Sequence, residues 1–152
     1  MKVHHIFFIV IGLLLLIQLA TGQVSYAEGY LLLWGSILAL YDLTSQSYPL
    51  WIWLAGTAVI LPFTGVNTTS LILFCLAILA EIKDIKIGSG DFFYLSTLAL
   101  VLSTSDILWI IQLASLMGIM AVWASKQGKQ PIAFVPFLLL GQFILLQLNQ
   151  LI

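Results

Sequence analysis

Polar residues in this chain come in short clusters, and between them run apolar stretches near 3 to 20, 27 to 41, 49 to 63, 68 to 82, 91 to 104, 107 to 124 and 132 to 151. With 62% of 152 residues hydrophobic and only 7% charged, too little polar surface is available to wrap seven such segments in a water-soluble domain. The pattern predicts an all-α fold, a polytopic membrane helix bundle of about seven short transmembrane helices, forming one domain over 1–152. Several runs are shorter than the roughly 20 residues that cross a bilayer at about 1.5 Å per residue. Their ends must therefore recruit polar residues or sit partly submerged and hydrated, and short spans that end in carboxylates point to a water-filled recess. Two of the short spans, 27 to 41 and 91 to 104, are the weakest links and also fit a re-entrant arrangement.

The first run, "VHHIFFIVIGLLLLIQLA", follows Lys2 and is longer than a secretory signal core, and "LATGQ" lacks a small-x-small cleavage site, so it reads as a retained anchor. His4 and His5 at its edge point to different sides of a helix, which suits an interfacial role better than a metal site. If the spans alternate, Lys2, the loop around Asp42, the stretch with Lys83 and Lys86 and the loop with Lys126 and Lys129 share one face, whereas Glu28 and Asp106 lie on the other. The positive-inside rule makes the lysine face cytoplasmic, with the N-terminus inside and the C-terminus outside. No basic patch marks a nucleic-acid partner. Cys75 is single and reads as a lipid-buried small hydrophobe, no cluster has metal-ligand spacing, and no cofactor is implied.

The same count puts two acids on the cytoplasmic side, Asp42 in "ALYDLTSQSYPLW" and Asp91 in "IGSGDFF". Asp42 follows the apolar run ending at Tyr41, and Asp91 precedes the apolar residues beginning at Phe92. Two carboxylates held in one partly desolvated recess resist ionising together and share a proton, which is the equipment for peptide hydrolysis by acid-base catalysis on water. Gly88 and Gly90 would supply positive φ or close approach of an extended substrate. Each acid taken singly also reads as ordinary: Asp91 as the N-cap of the following helix, Asp42 as a helix-end acid with Pro49 marking the next helix. Glu81 ends an apolar run and faces the recess or the interface, while Asp84 between Lys83 and Lys86 reads as a solvated surface acid. In "FVPFLLLG", Pro136 repeats the interruption begun at Pro131, and Phe134 and Phe137 offer bulky walls on the face of the two aspartates.

In this order, "YDLTSQSYP", "GSGD" and "FVPFLLLG" resemble the type IV prepilin peptidase family of Gly-x-Gly-Asp membrane aspartyl proteases, over about residues 27 to 148. The resemblance implies catalytic Asp42 and Asp91, with Pro49, Gly88, Gly90, Glu81, Phe134 and Pro136 supporting the site or positioning substrate. It implies an aspartic endopeptidase of the bacterial cytoplasmic membrane that removes the basic leader from prepilins or pseudopilins, substrates of type IV pili, competence pseudopili or protein secretion, ahead of their hydrophobic helix. Phe93 stands where the family often has lysine, and Val135 where glycine is expected between Phe134 and Pro136. The cysteine-bearing N-terminal cytoplasmic region of longer relatives is not seen, so methyltransferase activity is not expected from this chain, leaving room for a separate methyltransferase partner. The alternatives are a presenilin or signal-peptide-peptidase-like intramembrane protease, whose Pro-Ala-Leu segment is missing, and a non-enzymatic membrane assembly or transport protein.

Overall fold

The computed structural model describes residues 24–83, 88–125 and 132–151 and, ahead of them, Gly12 alone; among the described residues all regular structure is helical, with no strand. Six helices follow one another: α1 (Tyr26–Ser45), α2 (Leu50–Thr64), α3 (Thr68–Lys83), α4 (Ser89–Leu98), α5 (Thr104–Ser125) and α6 (Val135–Leu151). Five of them reproduce the apolar runs to within a few residues. Apart from Gly12, the anchor expected over 3 to 20, with Lys2, His4 and His5, lies outside the described residues, as do Asp84, Lys86, Lys126, Lys129 and Pro131.

Several boundaries have a local cause. Ser25 opens α1 with a capping box: its own N–H donates to Glu28 Oε2 at 2.9 Å, and its hydroxyl accepts from the Glu28 N–H at 3.3 Å. Ser103 and Asp106 repeat that reciprocal pair at the start of α5. At the other end of α1, Gln46 turns left-handed with φ 54° and its N–H closes on the Asp42 carbonyl. Pro49, with φ fixed at -63°, leads the chain into α2, and Gly65 at φ 71° ends that helix.

The helices pair most closely as α3 with α4, α5 with α6, and α1 with α6. The core runs between them, through Leu31 and Leu38 of α1, Leu98 of α4, Ile110 of α5 and Leu138 of α6. Buried polar pairs join what the apolar contacts bring together. Tyr94 of α4 sits against Gly35 of α1 and donates its hydroxyl to Gln142 Oε1 of α6 at 2.8 Å. The Trp53 indole of α2 donates to the Phe93 carbonyl at 2.8 Å and to Thr97 Oγ1 at 2.9 Å on α4. Such bonds between helices contribute about 0.6 kcal/mol each, so they set register more than they add stability.

The element expected at 91 to 104 is shorter than its apolar run. Its helix stops at Leu98, and residues 99 to 102 fold into a turn in which the Leu98 carbonyl takes the N–H groups of Val101 and Leu102. Asn67, in the connection between α2 and α3, donates its amide to the Ala99 carbonyl, an acceptor that a longer helix would have kept for itself. Ten residues rise only about 15 Å, half of a bilayer's apolar thickness. Buried from Phe93 to Leu98, α4 is an internal half-length helix enclosed by its neighbours. The longest helix, α5, contrasts with it: Thr104–Trp123 is 20 residues, long and apolar enough to cross a membrane, and it exposes Leu108, Trp109, Ile119 and Trp123.

Candidate functional site

Where the C-terminal turn of α1 meets the first turns of α4 and α6, a cavity of about 970 Å³ opens. Asp42 and Asp91 both line it, together with Tyr48, Glu81, Gly88 and Phe134. Helix geometry brings the acids there from opposite directions. Asp42 lies one turn before the end of α1, on the side that packs against α6, and is 7% exposed. Asp91 is the third residue of α4, its N–H bonded to the Gly88 carbonyl at 3.1 Å, so it belongs to the first turn and Gly88 holds the N-cap position.

Asp42 has a partner that its own helix cannot give it. The Val135 N–H, one of the donors left free at the start of α6, reaches Asp42 Oδ2 at 3.0 Å. Burial lifts the Asp42 carboxyl above its usual range, and the N–H groups of Val135 and Phe134 pull it part of the way back. Asp91 has no such compensation among the causes that move it: burial first, and the Asp42 charge second, push it up to about 7. The donors thus favour an ionised Asp42, and that charge in turn keeps a proton on Asp91. A carboxyl at about 7 is about half protonated near neutral pH, so Asp91 can hold or release a proton there.

The two glycines act through space and not through unusual backbone. Neither has a positive φ; among described glycines that conformation occurs at Gly65. A Cβ on Gly88 would stand 2.9 Å from Asp91 Oδ2, and one on Gly90 would stand 3.1 Å from the Tyr48 ring. Gly88 makes room for the carboxylate itself, and Gly90 for an aromatic wall.

Of the other expected residues, Phe134 lines the cavity, and Glu81 stands exposed at its rim, accepting a 2.6 Å hydrogen bond from Ser89 Oγ. Pro49 and Pro136 are not among the lining residues. Pro49 is spent on the entry to α2. Pro136 occupies the first turn of α6, where a missing N–H leaves no helical bond unmade, so it starts the helix instead of kinking it. Two residues that matter here carry no obvious sequence signal. Val135 enters through its backbone, and Tyr48 through a hydroxyl that donates to the Gly90 carbonyl. The one hint of Tyr48 is its place between Asp42 and Pro49 in "YDLTSQSYP".

No group of three or more His, Cys, Asp or Glu side chains among the described residues is arranged to hold a metal ion. Compared with protein-family models, with curated proteins and with solved structures, the chain matches none. The chemistry of the cavity is therefore the ground on which function has to be argued.

Proposed function

We propose that this chain is a membrane aspartyl endopeptidase, a multi-pass protein of the prepilin peptidase kind that removes a basic leader at the cytoplasmic face of the membrane. The observation that carries the reading is the shared cavity of Asp42 and Asp91, with one acid supplied with N–H donors and the other raised to about 7. In the proposed cycle ionised Asp42 takes a proton from a water molecule as the water oxygen bonds to the scissile carbonyl carbon. Asp91 meanwhile gives its proton to the carbonyl oxygen, leaving a neutral tetrahedral diol. The proton now on Asp42 passes to the leaving nitrogen as the C–N bond breaks, and a diol hydroxyl returns a proton to Asp91, so both acids end as they began.

The half-length α4 supports the membrane part of this reading. A substrate helix that stays in lipid has only to present an extended junction to the end of the bundle, where α4 begins and the cavity opens. The test is leader removal from a full-length prepilin in membranes or micelles, read as a mass shift, with the amount of inserted enzyme measured in each sample. Wild type shortens the substrate, whereas Asp42→Asn and Asp91→Asn each insert normally and nearly abolish the shift. Wild-type turnover by either variant refutes the two-aspartate mechanism.

A further inference from the structure

The connection between α1 and α2 is only residues 46 to 49, and it is tightly constrained. Gln46 reverses the chain with a left-handed turn, and Pro49 disfavours helical backbone at the residue before it. Tyr48 is thereby fixed between them. Its ring lies half-buried in the cavity wall, and its hydroxyl crosses to the Gly90 carbonyl. That carbonyl belongs to the peptide unit whose nitrogen is Asp91's own. Whatever holds Gly90 O therefore holds the backbone from which the Asp91 carboxyl projects.

We propose that Tyr48 is a positioning residue that couples the two aspartate-bearing segments: its hydroxyl, anchored just after Asp42, draws the first turn of α4 inward and keeps Asp91 at its depth in the cavity. The catalytic consequence rests on the aspartyl peptidase reading above; the coupling itself does not. Gly90 is its counterpart, because a side chain there would press on the ring at 3.1 to 3.3 Å and push the hydroxyl off its acceptor. Burial, the Asp91 charge and the Asp42 charge all raise the Tyr48 phenol above its usual range, so it remains a donor across the pH range in which the aspartates titrate.

Among the described residues that line the cavity with Asp91, the titratable groups are Asp42 from α1, Tyr48 from the connection and Glu81 from the rim on α3, whereas Ile111 of α5, Phe134 and Val135 of α6 are apolar. Loosening the first turn of α4 lets Asp91 move toward water and away from Asp42, and both changes lower its pKa. A defect in folding alone would reduce the amount of active protein and leave that value where it is.

The experiment is Tyr48→Phe, which keeps the ring and removes the donor, in the full chain in micelles. We expect kcat for prepilin cleavage to fall about 10- to 100-fold with KM within about twofold, as for a displaced catalytic group. The alkaline limb of the pH profile should move down by about one unit. In ¹³C-aspartate-labelled protein, the Asp91 carboxyl should titrate lower by the same amount, and Gly90→Ala should shift it in the same direction. An Asp91 titration unchanged in both variants overturns the proposal, whatever the rate does. Asp91→Asn in the same preparation separates the two ideas: if it cleaves like wild type, the peptidase reading fails, while the carboxyl titration still decides the coupling.

Discussion

At one end of the bundle Glu28 and Asp106 each answer a serine three residues earlier, in capping boxes complete within a single turn. At the other end Asp42 draws its donor from Val135, 93 residues away, and Asp91 shares a cavity with it. The chemistry of a carboxylate is the same at both ends, but its partners differ. A capped acid is held by a serine of its own first turn, so its partner comes with the local helix start. Inside the cavity burial works against a charge on Asp42 and the donors of a distant helix terminus work for it, which ties its protonation to tertiary structure.

The largest effect expected from this contrast is on turnover. Asp42→Asn and Asp91→Asn should each lose about 10² to 10⁴ in rate, because asparagine can neither take a proton from water nor give one. Asp106→Ala, at the capped end, should leave turnover within about twofold. A loss at Asp106 as large as that at Asp42 would erase the distinction between the two ends.

Next in size is the donor to Asp42. Val135→Pro removes the N–H at a helix start that tolerates proline, so the helix survives while Asp42 loses a bond that favours its ionised form. A hydrogen bond to a charged group contributes about 1.5 to 3 kcal/mol, which corresponds to a rate loss of about tenfold or more below neutral pH. The acid limb of the pH–rate profile should rise. An acid limb that stays in place would mean that α6 does not tune Asp42.

A smaller effect, on stability, follows from Asp91. Its folded value of about 7 lies above the ordinary 3.8, so the folded state holds the proton more tightly than the unfolded chain does. The stability this contributes is fully present below about pH 4 and is lost as pH rises through 7. Asp91→Asn never ionises, so its thermal midpoint relative to wild type should climb between pH 4 and 7 and level off above. A midpoint difference that does not change with pH would show that Asp91 titrates normally.

How much of this was readable beforehand depends on what carries the information. Helices α1, α2, α3, α5 and α6 follow the apolar runs because in such a chain the polar clusters are the only places to break. The pairing of Asp42 with Asp91 was visible because carboxylates are rare enough here for each position to count. The early end of α4 was hidden, since "LALVL" is as helical in composition as what precedes it and only Asn67, from another connection, takes the Ala99 carbonyl. The Val135 donor was hidden more deeply, because every residue but proline carries the same N–H. Side-chain identity at that position suggested only a departure from an expected glycine. Gly88 and Gly90 drew attention for backbone freedom, yet their use is the space they leave for Asp91 and Tyr48.

The smallest expected effect bears on whether the two ends are independent. Ser25→Ala and Ser103→Ala each remove a cap worth about 0.5 to 2 kcal/mol, and each should lower the thermal midpoint while leaving kcat and both pH limbs unchanged. Ser25 lies the length of α1 away from Asp42, so its loss should be felt only as fraying. Ser103 is the more demanding case. Between it and Asp91 stand only the rest of α4, as far as Leu98, and one turn, and that turn is already tied to Asn67 through Ala99. If the Asn67 bond and the buried side of α4 absorb the disturbance, Ser103→Ala behaves like Ser25→Ala. If instead Ser103→Ala moves the alkaline limb, the half-length helix transmits strain from one end of the bundle to the other. The acids at the two ends would then belong to one mechanical unit, joined by α4.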